Sequence, residues 1–415
     1  MLNSLRQLPE NIRQYLIITG NYWAFTLTDG ALRMLVVLYF HQLGYTPVAI
    51  ASLFLFYEFF GVVTNLFGGW LGAKWGLNRT MNIGLALQIV ALALLLVPTT
   101  WLTVVWVMFA QALSGIAKDL NKMSAKSAIK TLVPKSDTRH GHESQLYRWV
   151  ALLTGSKNTL KGVGFFLGGF LLTWLGFRGA ICAMVVMLAV AWGISLLTLK
   201  SELGKAKRKP KFKKLLAKNQ SINYLSAARF FLFGARDIWF VIAAPIALAS
   251  YFGWSHTQVG TFFAAWIIFY GIVQANTPKL LKQSRHPATA QSALLWVSIL
   301  LLITVLLTIT QWLAPQWAWG LVIGLLIFGG VFALNSAIHS YLIVSYADAD
   351  GASMDVGFYY MANAAGRLAG TVLSGVLFQS GGLLLCLLGS VVFLAASTAL
   401  TWLLKQVTRA SSAKA

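Results

Sequence analysis

Twelve long apolar segments, separated by short polar loops, dominate the sequence. A helix needs about 20 consecutive apolar residues to cross the hydrocarbon core of a bilayer. In lipid, backbone groups must be bonded within the protein, which restricts spanning segments to helices and closed barrels. We therefore expect an all-α integral membrane protein with transmembrane helices near residues 15–40, 47–73, 80–98, 101–123, 146–173, 178–199, 222–250, 257–275, 288–310, 317–344, 356–378 and 382–404.

The charge content supports this interpretation. Only 11% of the residues are charged, whereas soluble proteins contain about 25%. A net charge of +22 would usually suggest a nucleic-acid partner, but here the charges lie in short loops and inside apolar segments. We therefore expect the chain to lie in a lipid bilayer and to bind no nucleic acid. Cys182 and Cys386 lie in apolar runs and predict no disulfide framework.

Lysine and arginine occupy alternate loops. The loops near residues 41–47, 98–100, 251–256, 311–316 and 379–382 have neither, and Arg178 is the exception on that side. The positive-inside rule then places both termini in the cytoplasm of a cell (inner) membrane protein. The basic run Lys200–Lys218 divides the chain into a six-helix half at 1–199, a linker at 200–220, a second half at 221–404 and a tail at 405–415. One loop on the basic side is acidic, with Asp348, Asp350 and Asp355.

Two lysines lie near the middle of the fifth apolar segment. Lys157 and Lys161 are four residues apart, so a helix places them on one face. A cation at the bilayer centre costs at least about 2.5–3.5 kcal/mol. We expect both to face a water-filled cavity that receives an anion.

The same pattern returns in the second half of the chain. Lys157, Lys161, Gly164 and Gly169 correspond at one constant offset to Asn363, Arg367, Gly370 and Gly375. Repeated halves with polar groups at matching depths are typical of secondary transporters.

Further charged and polar residues lie deep in other apolar segments. The apolar segments contain eight deep cations and only four deep acids, so we expect some positive charges without a carboxylate partner. The cations are Arg33, Lys118, Lys122, Lys157, Lys161, Arg229, Arg236 and Arg367, the acids are Asp29, Glu58, Asp119 and Asp237, and Asn335, His339, Asn363 and Tyr22 are further polar candidates for substrate binding. A buried unpaired charge is costly, so the cavity predicts a multiply charged phosphate- or carboxylate-bearing occupant.

Several pairings stay open at this point. Asp29 and Arg33 are four residues apart and can pair on one helix face. Arg236 and Asp237 are adjacent and are not expected to face each other. Glu58 is either a proton site or a partner for another helix, and Asp29, Asp119 and Asp237 are also candidates for charge pairing or proton transfer.

Some of these residues also have a purely structural interpretation. Lys126 and Lys130 continue the Lys118–Lys122 spacing, and we interpret them as the solvated end of the fourth helix. His339 and Tyr22 are also compatible with simple packing.

The loop after the second segment reads GWLGAKWGLNR. Gly69, Lys74, Gly76 and Arg79 resemble the gating motif of the major facilitator superfamily, although Ala73 stands where that motif has an acid. The resemblance implies two pseudo-symmetric six-helix halves, with helices 1, 4, 7 and 10 lining the cavity. The missing acid removes one latch that this superfamily uses.

Four segments resemble a narrower family, the ArsJ organoarsenical efflux permeases: NYWAFTLTDGALRMLVVLYFHQLGY, QALSGIAKDLNKMSAKSAIKTLVP, LTGSKNTLKGVGFFLGG and SAARFFLFGARDIWF. This resemblance implies a monomeric transporter, without cofactor or metal, that exports 1-arseno-3-phosphoglycerate and confers arsenate resistance. A glyceraldehyde-3-phosphate dehydrogenase would be its functional partner. An organophosphate–phosphate exchanger, or another organic-anion transporter, would need the same basic cavity. A membrane enzyme is disfavoured because the six histidines form no catalytic or metal-binding pattern.

We predict that Arg33, Lys157, Lys161, Arg236 and Arg367 form an anion clamp. Asp29 and Asp237 are expected to hold Arg33 and neighbouring cations while the cavity is empty. Substrate would then replace an internal ion pair.

Overall fold

A computed structural model describes residues 9–45, 52–132, 139–199, 203, 205, 219–241, 243–254, 256–281, 288–348 and 352–412. Within the basic run Lys200–Lys218 only residues 203 and 205 are described, and Asp350 lies outside the described residues. The regular structure of the described part is helical. Its α-helices are α1 Glu10–Gln42, α2 Leu55–Trp75, α3 Leu77–Ala93, α4 Val104–Leu132, a run Arg139–Thr198, α7 Gln220–Phe240 with the short α7′ Ala243–Ser250, α8 His256–Leu280, α9 Ala290–Leu313, α10 Ala318–Tyr346 and a run Ala352–Ser412.

Each of the two long runs is two helices joined by glycine. Gly176, at φ 64°, separates α5 (139–175) from α6 (177–198). Gly382, at φ 63°, separates α11 (352–380) from α12 (383–412) together with Gly381. Only glycine adopts such positive φ values without steric cost. The described residues therefore contain the twelve long helices that the apolar segments predict, and α12 continues to Ser412.

The start of α1 lies beside the ends of other helices. The Asn11 side chain donates to the Leu132 carbonyl at 3.2 Å, and the Gln14 side chain donates to the Thr198 carbonyl at 3.1 Å. The Tyr15 hydroxyl donates to the carbonyl of Trp149, near the start of α5. We call this end of the bundle the basic end, because the sequence places its lysine-rich loops there.

Close helix crossings repeat between the two halves. A Cβ on Gly164 of α5 would lie 2.7 Å from the Leu27 carbonyl oxygen of α1. A Cβ on Gly370 of α11 would lie 2.6 Å from the Gly234 carbonyl oxygen of α7. These two glycines are equivalent in the predicted repeat. The α1–α5 and α7–α11 pairs therefore use small residues at matching positions, as membrane helices commonly do.

The two halves contact each other at the basic end. The Ser353 hydroxyl donates to the Gly69 carbonyl at 2.8 Å, which joins α11 to α2. The Lys130 ammonium of α4 donates to the carbonyl oxygens of Val344 at 2.8 Å, Ser345 at 3.2 Å and Ala347 at the end of α10. The halves are thus linked on this side by hydrogen bonds to backbone carbonyls.

The outer surface is apolar, as a multi-pass membrane protein requires. Large side chains such as Val105, Trp174, Leu197 and Leu313 are at least 70% exposed. Five helical runs among the described residues are long and apolar enough to cross a membrane, and two of these contain the paired helices α5–α6 and α11–α12.

Candidate anion-binding cavity

A chain of ion pairs crosses the middle of the bundle. The Arg33 guanidinium of α1 lies 3.2 Å from the Glu58 carboxylate of α2. The same carboxylate oxygen lies 3.3 Å from Arg367 of α11. Arg367 also donates from Nε to Asp237 of α7 at 3.1 Å, and Arg236 contacts the other Asp237 oxygen at 2.5 Å. Two helices from each half contribute to this central network.

The cations of the network are more accessible than most of the acids. The side chains of Arg33 and Arg367 are 28% and 30% exposed, whereas Asp237 is 1% exposed. Asp29 and Asp119 are similarly buried, at 6% and 1%. A solute that enters the bundle would therefore meet mainly positive groups, with Glu58 as the accessible carboxylate.

The predicted Asp29–Arg33 pair is wrong. Asp29 accepts a hydrogen bond from the Tyr57 hydroxyl at 2.5 Å and lies 3.9 Å from the Lys161 ammonium. Arg33 points to α2 instead, where it pairs with Glu58 and lies 4.9 Å from the Tyr57 ring centroid. The four-residue spacing allowed the pair, but neighbouring helices supply partners for both side chains. Of the two roles left open for Glu58, this geometry fits the interhelical partner.

The expectation that Arg236 and Asp237 do not pair is also wrong. Arg236 donates from Nε to Asp237 at 2.6 Å. The backbone does direct neighbouring residues apart, but a long arginine side chain folds back far enough to close the contact. The guanidinium also lies about equally close to three rings, 5.0 Å from Phe233, 5.4 Å from Phe240 and 5.3 Å from Phe332.

The lysines of α4 form a second group of cations. Lys118 lies 3.7 Å from the Tyr57 ring centroid, and Lys118 and Lys122 both contact Asp119, at 3.8 and 2.5 Å. Lys126 is only 3% exposed and donates to the Thr154 hydroxyl at 2.6 Å. The interpretation of Lys126 and Lys130 as a solvated helix end is therefore wrong. Their regular four-residue spacing from Lys122 was the sequence signal that they share its inward face.

Two more deep cations, like Lys126, have no carboxylate partner within the described part of the chain. Lys157 makes no ion pair or hydrogen bond there, and its electrostatic neighbours are the cations Lys161, Lys122, Lys126 and Arg367. Arg229 is 3% exposed and donates from Nε to the Asn363 amide oxygen at 2.8 Å. Its Nη1 atom is buried without a hydrogen-bond partner among the described residues.

Three predicted polar candidates lie beneath the accessible surface. Asn335 and His339 are 0% exposed and Tyr22 is 1% exposed. Both His339 ring nitrogens and the Tyr22 hydroxyl lack a hydrogen-bond partner in the described structure. These groups contribute almost no accessible surface in this conformation, and their role in binding stays a prediction.

The candidate gating motif spans the end of α2 and the start of α3. Gly76 has φ 94°, which glycine alone adopts readily, and it separates the two helices. Lys74 lies 4.5 Å from the Trp70 ring centroid, Arg79 is exposed, and Ala73 is fully buried. Gly69 contacts α11, as described above. Gating by these residues stays a prediction.

The side chains in the middle of the bundle include groups suited to binding an anion. Arginine supplies planar paired donors and lysine a compact charge, and both bind phosphates or carboxylates. Among the described residues, no cluster of three His, Cys, Asp or Glu side chains is arranged to hold a metal ion.

Solved structures share this architecture. The human organic anion transporter MFSD10 (TETRAN) superposes with a TM-score of 0.75 at 16% identity, over 95% of this chain and 100% of that one. The E. coli fucose:proton symporter FucP gives 0.72 at 11% identity, over 95% and 99%. A bacterial homologue of the iron transporter ferroportin, in its outward-facing state, gives 0.72 at 12% identity, over 94% and 99%. At these identities the likeness concerns the fold.

The sequence comparison identifies the family. No curated protein sequence matches the chain. A family model described as Major Facilitator Superfamily matches residues 18–239, which is more than half of the chain. Twelve helices in two similar halves, with deep charges facing inward, are consistent with that match. The chain belongs to the major facilitator superfamily and is a membrane transporter rather than an enzyme.

Proposed function

We propose that this transporter exports the organoarsenical 1-arseno-3-phosphoglycerate and thereby confers arsenate resistance. A glyceraldehyde-3-phosphate dehydrogenase would supply the substrate. The observation that carries the proposal is the excess of cations in the middle of the bundle. The resemblance to the ArsJ permeases, in segments that carry most of these cations, selects the arsenical among anions.

The structure adds one cation to the deep set, because Lys126 is buried. Nine deep cations then face the four acids Asp29, Glu58, Asp119 and Asp237. A substrate with a phosphate at one end and an arsenate ester at the other is about trianionic near neutral pH. Such a ligand would neutralise most of the excess, which makes a multiply charged anion a better fit than a neutral solute.

The direction of transport follows from charge. The positive-inside rule places the basic end in the cytoplasm of a cell (inner) membrane. One elementary charge moving through 100 mV is worth about 2.3 kcal/mol, so a trianion that leaves a negative interior gains roughly 7 kcal/mol. Export is therefore downhill without proton coupling. Import of the same anion would be uphill and would need exchange.

Resistance assays test the proposal directly. An arsenate-sensitive bacterial strain would express the chain with or without the dehydrogenase. We expect resistance only when both are present, and we expect Lys157→Gln, Arg236→Gln and Arg367→Gln each to abolish it at unchanged membrane abundance. Lys279→Gln, at an exposed position near the end of α8, is the matched control. Full resistance in all three variants would place the anion clamp elsewhere.

Vesicle experiments separate export from exchange. Proteoliposomes that enclose the dehydrogenase and its substrates with arsenate would make the organoarsenical inside. We expect efflux to rise when the interior is made negative with no pH gradient. Efflux that requires phosphate outside would instead support an organophosphate–phosphate exchanger. Efflux that ignores potential and follows the pH gradient would support proton antiport.

A further inference from the structure

We propose that the cavity contains a second anion subsite, formed around Tyr360 by Lys122, Lys126 and Arg229. We call it the Tyr360 subsite. It would bind one phosphate-like end of the ligand while the central network binds the other. The inference rests on the proposed function and makes it more specific, because it assigns the two ends of a bisanionic substrate to different residues.

Both halves of the protein contribute to this subsite. Lys122 and Lys126 of α4 lie 4.8 and 5.2 Å from the ring centroid of Tyr360 on α11. The Arg229 guanidinium of α7 lies 5.3 Å from the ring centroid of Tyr359, the residue before Tyr360, and interacts electrostatically with Lys126. Three cations from two helices therefore lie beside two consecutive tyrosines of α11. Like charges brought this close in a buried site are unfavourable unless an anion neutralises them.

Arg229 has an unused donor. Its Nε atom is satisfied by Asn363, and its guanidinium lies 3.7 Å from the Phe233 ring centroid. Its Nη1 atom is buried without a hydrogen-bond partner among the described residues, and the residue is only 3% exposed. Burial of a charged donor without a hydrogen bond is costly. An incoming phosphate-like oxygen would satisfy it.

The charges around this subsite differ from those of the central network. In the central network Arg33, Arg236 and Arg367 each contact a carboxylate. At the Tyr360 subsite Lys122 pairs with Asp119, but Lys126 contacts a hydroxyl and Arg229 an amide. An anion therefore meets no internal competitor at Lys126 or Arg229, whereas it must displace Glu58 in the central network.

The two sites lie at different depths. Lys126 follows Lys118 by eight residues, and Arg236 follows Arg229 by seven. At about 1.5 Å per helical residue, these pairs are separated by roughly 12 and 10 Å along the helix axes. Lys157, four residues before Lys161, would contact the portion between them. A short chain with an anionic group at each end matches this arrangement better than inorganic phosphate.

Two stable probes distinguish one subsite from two. Propane-1,3-bisphosphonate has anionic groups at both ends of a three-carbon chain, and propylphosphonate has one. Calorimetric titration of the purified full-length protein would measure both affinities at one fixed ionic strength. We expect the wild type to bind the bisphosphonate about tenfold or more tightly than the monophosphonate, since the second group binds intramolecularly.

Variants then locate the second subsite. Lys126→Gln and Arg229→Gln are each expected to reduce the affinity ratio to less than about threefold. Lys126→Arg, which keeps the charge, should retain most of the ratio, and Lys279→Gln should leave it unchanged. Arg229 contacts several helices, so Lys126→Gln still tests the inference if the arginine variant does not fold.

Two results would overturn the inference. The first is a wild-type ratio of bisphosphonate to monophosphonate affinity below about threefold, or no binding of either probe. The second is an affinity ratio in Lys126→Gln that equals the wild-type ratio. The assay of dehydrogenase-dependent arsenate resistance tests the proposed function independently of either result. A high ratio that depends on Lys126, without arsenate resistance, would keep the subsite and exclude the arsenical.

Discussion

Glu58 lies between Arg33 and Arg367 in the central network, where we expect a substrate anion to bind. Its carboxylate oxygen lies 3.2 Å from Arg33 and 3.3 Å from Arg367. The sequence predicted this role for Asp29, but Asp29 contacts Tyr57 and Lys161 instead. We therefore predict that Glu58→Gln binds a bisphosphonate more tightly than the wild type and transports its substrate more slowly.

The magnitude follows from the charges. Two unit charges about 4 Å apart attract by about 4 kcal/mol at an effective dielectric constant near 20. Glu58 is 26% exposed, so solvent screening reduces the net value. We expect about 2 kcal/mol in binding, which is roughly thirtyfold in affinity. Transport slows because the empty carrier loses the carboxylate that neutralises Arg33 and Arg367 during its return.

Calorimetry with propane-1,3-bisphosphonate measures the affinity, and efflux from proteoliposomes measures turnover. Glu58→Asp keeps the charge on a shorter side chain and separates charge from geometry. Asp348→Asn removes an exposed carboxylate outside the cavity and is the matched control. Weaker or unchanged binding by Glu58→Gln would refute the view that this carboxylate competes with the substrate.

Three further predictions concern other contacts. Lys130→Ala removes the hydrogen bonds between α4 and the end of α10, which should make the two halves separate more often at the basic end. In a Ser127→Cys background the buried cysteine should then react with a thiol reagent about twofold or more faster, whereas Lys130→Arg should leave this rate unchanged. Asp29→Asn should bind the bisphosphonate at least as tightly as wild type but turn over more slowly, and no change in either would remove its role. Gly164→Ala should lower the free energy of unfolding by about 1–3 kcal/mol in thermal denaturation, because its Cβ would meet the Leu27 carbonyl oxygen at 2.7 Å. Gly20→Ala, with nothing within 4 Å, is its control, and equal effects would contradict the packing argument.

The helices were accessible from sequence. Apolar length predicted the twelve long helices of the described residues, because the bilayer imposes both their minimum length and their backbone bonding. The constant offset between Gly164 and Gly370 indicated equivalent positions in two halves, and the structure shows each glycine at a close helix crossing, α1–α5 and α7–α11. Apolar segment length and glycine spacing both reflect requirements of the backbone, which can be recognised in a sequence without knowledge of the neighbouring helices.

The ion pairs were less accessible. Spacing along one helix cannot show which neighbouring helix supplies a partner, and the Asp29–Arg33 prediction failed for that reason. Long side chains also reach groups that the backbone directs elsewhere, as Arg236 reaches Asp237. Lys126 and Lys130 were misassigned because charge alone suggested solvent, whereas α4 continues between α5 and α10 and buries them there.

The network suggests how an anion would couple to the conformational change. Among the ion pairs of the described residues, Glu58–Arg367 joins the two halves at mid-depth, whereas Ser353 and Lys130 join them at the basic end. An anion that replaces Glu58 at Arg367 removes the first link without touching the others. A ligand shifts a conformational equilibrium only by its difference in affinity between the two states. The displaced Glu58 supplies such a difference, since it competes with substrate only where α2 and α11 lie close enough to pair. Substrate would then favour separation of α2 from α11, and the return of the empty carrier would favour the Glu58–Arg367 pair.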